Sequence, residues 1–156
     1  MIEEAVMTND MEIFAFIMSF FLIFLIIGII LYVLFAIGLM KMANRENIEN
    51  AWLAWVPIAQ TYIMGRLISH KLGENSGWIV LGVTLISMFT SWIPVLGQLI
   101  SFGVLIFSFV ILHWIYEKYS NKAVLMTIFT VITAGSLSPI FIFAIRNNDN
   151  FKEAIA

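Results

Sequence analysis

The 156-residue chain has no cysteine, only three prolines and little charge, with Asp, Glu, Lys and Arg making up 12% of it. The lack of cysteine excludes disulfides, thiolate catalysis, cysteine metal sites and S-palmitoylation, and it removes redox chemistry as a guide to compartment. Soluble domains carry roughly 25% charged residues, about twice the share here. That shortage excludes an ordinary soluble enzyme and a disordered tail. Eight Lys and Arg against ten Asp and Glu give a net charge of −2, which excludes a nucleic-acid binder with its basic surface. The long apolar runs contain no Asp, Glu, Lys or Arg at all. Ionisable groups inside a bilayer mark proton relays, ion pathways and intramembrane catalysis, so their absence weighs against a proton-coupled carrier or an intramembrane protease. Also missing are H-E-x-x-H, G-x-S-x-G and a phosphate-binding glycine loop. No enzyme activity, cofactor or metal is expected.

What is present is apolar: 62% of residues are hydrophobic and mean hydropathy is +0.99. After an acidic N-terminal tail (1–12), residues 13–40 form an uncharged run of 28. As a helix it would extend about 42 Å, more than the ~30 Å hydrocarbon core. Acidic flanks (Glu3, Glu4, Asp10, Glu12) and sheer length mark it as a permanent anchor rather than a cleavable signal. A polar linker, 41–50, leads to Ala51–Gly65, which contains Trp52, Trp55, Pro57 and Tyr62. Fifteen residues interrupted by proline are too few for a span, and tryptophan and tyrosine favour the headgroup zone. Residues 51–70 therefore read as an interfacial or shallow re-entrant helix.

The uncharged run 76–116 is too long for one crossing, and Trp92-Ile-Pro-Val-Leu-Gly97 supplies a break. It predicts a tight hairpin of spans 78–93 and 95–116. A fourth span, 123–145, carries Gly135 and Pro139 as kinks. With four crossings and 51–71 on one side, Lys41, Arg45, Arg66, Lys71, Lys118 and Lys122 face Arg146 and Lys152 in the C-terminal tail (146–156). If 51–65 crossed instead, the split would be four against four. The positive-inside rule selects six to two, with the acidic N-terminus and the short C-terminal tail both outside. The expected fold is all-α: a polytopic membrane helix bundle of about four transmembrane helices plus one interfacial or re-entrant helix.

Trp55-Val-Pro-Ile-Ala-Gln60 and Trp92-Ile-Pro-Val-Leu-Gly-Gln98 echo each other. In each, proline frees a backbone carbonyl and glutamine can satisfy it, so Pro57, Gln60, Pro94 and Gln98 are candidate polar sites. Two independent membrane-boundary turns explain the echo, and so does a duplication of the kind that marks a transporter's binding site. The segment Arg45–Arg66, with Ala51-Trp-Leu-Ala-Trp-Val-Pro-Ile-Ala-Gln60 at its centre, resembles one found in small uncharacterised bacterial multi-pass membrane proteins. These carry an AWLAW(I/V)P(I/V)A(N/Q) interfacial motif, commonly with asparagine at the last position. The resemblance covers about residues 41–100. It implies a bacterial cytoplasmic membrane and no established activity.

Trp52, Trp55, Tyr62, Arg66, His70 and Lys71 are candidate lipid contacts, since Tyr62, Arg66 and His70 form one stripe if 57–70 is helical. Simple solvation accounts for the same residues. His113 and Glu117, one turn apart, could face a metal or serve a lipid-modifying activity, but two ligands are too few for a zinc site. A polar helix end is the plainer account. Ser87 and Ser91, Gly97 and Ser101, and Thr130, Ala134 and Ser138 recur every four residues, the spacing that lets membrane helices approach closely. They read as packing surfaces, or else as a hydroxyl-lined pore. The expected partners are the lipid bilayer and another membrane protein, a membrane-active peptide or a second copy. The expected function is binding, with a small oligomeric transporter or channel subunit as the alternative.

Overall fold

The computed structural model describes residues 2–149, with side chains from Met11 onward; Met1 and residues 150–156, with Lys152 of the C-terminal tail, lie outside the described residues. Among the described residues there are seven α-helices and no strand. In chain order they are α1 (Ile2–Arg45), a 3-10 turn (Ala51–Trp55), α2 (Gln60–Leu67), α3 (Ser69–Leu72), α4 (Ser76–Thr90), α5 (Leu96–Tyr119), α6 (Ala123–Ile132) and α7 (Ser138–Ile145). The chain divides into two compact units, one up to Val33 and one from Leu34.

The first unit is the greater part of α1. This helix has 44 residues and includes the acidic segment, which is helical from Ile2 rather than a separate tail. Its side chains from Met11 to Ile30 are exposed on every face, and they are overwhelmingly Phe, Ile, Leu and Met. A soluble core helix of this composition would be buried. Two helices, α1 and α5, are long and apolar enough to cross a membrane. The expected number was four, and the physical reason for the difference lies in the other two segments.

One of those is α4, which has 15 residues and spans only about 22 Å at 1.5 Å per residue. It does form the expected hairpin with α5. Ser87 Oγ lies 3.3 Å from Ser101 Oγ across it, and Gly97 packs directly on the Thr90 carbonyl, where a Cβ would have no room. The tip turns tightly at Val95, with φ 64° and a hydrogen bond from Leu96 N–H to Pro94 O of 2.7 Å.

The expected fourth span, 123–145, is not one kinked helix but two short ones. Its first arm, α6, ends in a Schellman motif: Ala134 N–H donates to Val131 O at 3.0 Å and Gly135 N–H to Thr130 O at 2.7 Å. Both Ala134 (φ 49°) and Gly135 (φ 89°) are left-handed. Two successive left-handed residues reverse the chain, and Pro139 then opens α7, where its missing N–H costs nothing. The reversal brings residues 146–149 back to where α6 began. Asn148 Nδ2 donates to Tyr119 O at 2.9 Å, and Arg45 pairs with Asp149. Arg146 is therefore not opposite the other cations. Of the eight Lys and Arg, all but Lys152, which lies outside the described residues, occur near this end of the second unit.

The core of the second unit sits at the same end. Leu39 and Met42 of α1, Ile63 and Leu67 of α2, Ile115 and Tyr116 of α5, and Ile142 of α7 are fully buried there. Gly38 makes room for α7: a Cβ on it would lie 2.8 Å from the Ile142 side chain and 3.1 Å from the Ile142 backbone.

The reversal at 134 makes a prediction with a definite sign. In the interior of a continuous helix Ala134→Gly would destabilise by about 1 kcal/mol. At a left-handed helix end, glycine relieves a penalty of about 1 kcal/mol. Ala134→Gly is expected to raise the thermal unfolding midpoint of the detergent-solubilised protein.

Candidate functional site

The segment 48–81 holds most of the aromatic and polar residues singled out from the sequence. It begins where α1 stops. Ile48 N–H donates to Ala43 O at 2.9 Å and Asn47 N–H to Asn44 O at 3.3 Å, a Schellman end with Asn47 left-handed at φ 51°. Asparagine tolerates that conformation better than most residues. Asn50 repeats it at φ 60° and starts the 3-10 turn. Ala51 and Ala54 face inward, while Trp52 and Trp55 face outward. Trp55 Nε1 reaches Met40 Sδ of α1 at 3.3 Å.

Pro57 and Gln60 act as a unit. In the 3-10 turn, Val56 N–H donates to Leu53 O at 3.0 Å. The next bond in that series would run from residue 57 to Ala54 O, but proline has no N–H. Gln60 supplies the missing donor: its Nε2 lies 2.8 Å from Ala54 O, in a buried position. The other glutamine of the echo differs. Gln98 is exposed on the first turn of α5, and among the described residues its side chain makes no hydrogen bond. Pro94 lies at a hairpin tip and Pro57 between a 3-10 turn and a helix, so the two turns differ in kind.

The helix α2 crosses the start of α4 at two glycines. A Cβ on Gly65 would stand 2.5 Å from Ser76 O, and one on Gly77 would meet the Tyr62 ring at 2.7 Å and Arg66 Cγ at 2.8 Å. Tyr62 and Arg66 thus lie side by side against Gly77. The Tyr62 ring packs edge-on to Trp78, with centroids 5.1 Å apart. Beside this contact opens a cleft of about 310 Å³ lined by Asn50, Leu53, Ala59, Tyr62, Trp78 and Leu81. Arg66 Nη1 donates to Glu74 O at 2.5 Å. Among the described residues Arg66 has no carboxylate partner, and neither the Tyr62 hydroxyl nor the Asn50 amide makes a hydrogen bond. The stripe does not continue to His70, because the helix breaks at Ile68 (φ −103°) before α3.

A second polar cluster ties the segments together. The ammonium of Lys118, on a residue only 6% exposed, lies 2.8 Å from Glu46 Oε1 and 3.2 Å from Leu67 O. Tyr119 Oη donates to the same Glu46 oxygen at 2.7 Å. Lys71 pairs with Glu117 at 3.3 Å, so it is engaged in the fold as well as being a candidate lipid contact. Sequence reasoning missed Glu46, Lys118 and Tyr119 as partners. The available signal was weak: polar residues in short connections, with 72 positions between the ion-pair partners.

The remaining candidates are dispersed. His113 Nδ1 lies 2.7 Å from Thr127 Oγ1, and Tyr116 Oη lies 3.2 Å from the buried Thr130 Oγ1; both pairs join α5 to α6. Ser91 Oγ bonds locally to Met88 O at 2.7 Å, and Ser138 Oγ to Gly135 O at 2.7 Å. Thr130, Ala134 and Ser138 belong to a helix, a turn and the next helix, so they do not form one stripe. Among the described residues no three His, Asp or Glu come close enough to hold a metal ion. No family model, curated protein or solved structure matches the chain.

Two measurements check these bonds. Gln60→Leu leaves the buried Ala54 carbonyl unpaired and is expected to destabilise by about 1–3 kcal/mol in detergent unfolding. Glu46→Leu strands a buried ammonium and is expected to cost about 3–5 kcal/mol, whereas Glu46→Leu with Lys118→Met is expected to recover most of that loss. The double-mutant cycle reads the coupling directly.

Proposed function

We propose that this is an integral protein of a bacterial cell membrane that acts by binding, with lipid, a membrane-active peptide or another membrane protein as partner. The observation that carries the reading is α1, an unbroken helix with apolar side chains exposed on every face from Met11 to Ile30. Water does not tolerate such a surface, and lipid does. The second support is asymmetry. Seven Lys and Arg collect near one end of the second unit, where Trp52 and Trp78 are also exposed.

In this reading α1 crosses with its acidic N-terminal part outside, and the cationic end faces the cytoplasm. The α4–α5 hairpin reaches across and returns, α5 being long enough to cross alone and the 15-residue α4 being extended by the 91–95 turn with its exposed Trp92. The α6–α7 pair dips into the bilayer and comes back, leaving the residues after α7 on the cytoplasmic side. Binding is favoured over catalysis because the apolar cleft is built from side chains that hold rather than react. The transporter alternative rests on the paired proline turns, and their different local structures lend it less support.

The protein is expected to remain in membranes through a high-pH carbonate wash and to retain lipid or a partner protein in mild detergent. A bare monomer, or release by carbonate, would overturn the reading. Sidedness is checked with fusions: a C-terminal alkaline phosphatase should be inactive, and one inserted after Trp92 active.

A further inference from the structure

We infer that the cleft beside α2 and α4 is a binding site for a single anionic phospholipid, with an acyl chain between Leu53, Ala59 and Leu81 and the phosphate at Arg66. The inference rests on the membrane reading above and names the ligand class of that same site. Three observations lead to it. The cleft holds about 310 Å³, at the small end of ligand pockets, and its lining is aliphatic and aromatic, suited to a chain and not to a sugar or nucleotide. Donors for a phosphate stand at its edge: the Tyr62 hydroxyl and the Asn50 amide belong to lining residues, and Arg66, which does not line the cleft, lies next to Tyr62 against Gly77. Gly77 sets Tyr62 and Arg66 side by side, because any Cβ there would strike both side chains within 2.8 Å.

Charge complementarity selects the headgroup. Among the described residues Arg66 has no carboxylate partner and gives one hydrogen bond, to the Glu74 carbonyl. Its other N–H groups can form the paired contacts that guanidinium makes with phosphate. Lys118 and Lys71, by contrast, are held by Glu46 and Glu117. Trp52 and Trp78 are both exposed, as tryptophan is at the headgroup level. In lipid an apolar cleft gains little from a chain alone, because surrounding tails are equally apolar. Selectivity must therefore come from the headgroup contact.

The test uses the full chain reconstituted in phosphatidylcholine vesicles containing brominated phosphatidylglycerol or brominated phosphatidylcholine, whose bromines quench nearby tryptophan. The Trp78 contribution is the difference between the unaltered protein and Trp78→Phe. Brominated phosphatidylglycerol is expected to quench Trp78 at an about fivefold lower mole fraction than brominated phosphatidylcholine, the ratio that one lysine or arginine near anionic lipid confers. Arg66→Gln should abolish that preference, Arg66→Lys should keep it in part, and Lys122→Gln, removing an exposed cation elsewhere, should leave it intact. Ala59→Leu, which fills the cleft, should weaken quenching by both lipids. Equal potency of the two lipids in the unaltered protein, or a preference that survives Arg66→Gln, overturns the site. Protein that stays with the vesicles without any preference fails only this inference. Protein that does not enter the vesicles fails the membrane reading itself.

Discussion

A lysine ammonium withdrawn from water must be surrounded by oxygen, and in this protein that demand brings the second unit together. Lys118 is supplied by Glu46, from the connection after α1, and by the Leu67 carbonyl at the end of α2. The same carboxylate accepts from Tyr119, whose own carbonyl receives the Asn148 side chain beyond α7. Four segments distant in sequence therefore meet at one charge. Such a pair adds little net stability over an apolar replacement, but it penalises any arrangement that separates its members. It specifies which helix ends meet, and the apolar contacts of Leu39, Ile63, Ile115 and Ile142 consolidate the meeting.

Close approach of helices supplies the rest of the order. In the proposed membrane setting apolar association is weak, so packing depends on how near backbones can come. Gly38 under Ile142, Gly65 against Ser76, Gly77 against Tyr62 and Gly97 against Thr90 are points where a Cβ would not fit. Of these, only Gly97 stands out in the sequence, through its spacing with Ser101. Gly38 and Gly65 have no local pattern, because each partner lies on a different helix. The hydroxyl pairs behave alike: Thr127 with His113 and Thr130 with Tyr116 join α5 to α6, although periodicity placed Thr130 in a stripe with Ala134 and Ser138.

The segment 51–65 shows how local chemistry can be legible while its setting is not. Proline at 57 and glutamine three residues on imply a carbonyl without a donor and a side chain able to provide one. That carbonyl belongs to Ala54. The identical reasoning at Pro94 and Gln98 meets a hairpin tip exposed on all sides, where Trp92 is 90% exposed and solvent or headgroups can satisfy the backbone. The cleft, too, has no sequence signature, since Asn50, Tyr62 and Leu81 converge only when α2 crosses α4 at Gly65 and Gly77.

Composition and run length alone determined that the protein is helical, that α1 is a continuous apolar rod and that the chain turns around Pro94, because these depend on the solvent each residue prefers and on the backbone freedom of proline and glycine. Only the tertiary structure decided that 123–145 doubles back, that α4 stays short and that the cations collect near one end. Each of those outcomes depends on pairings across tens of residues: Asn148 with Tyr119, Glu46 with Lys118, Gly65 with Ser76. A linear pattern carries the preference of each side chain for lipid or water. It does not carry the identity of the distant group that will satisfy it.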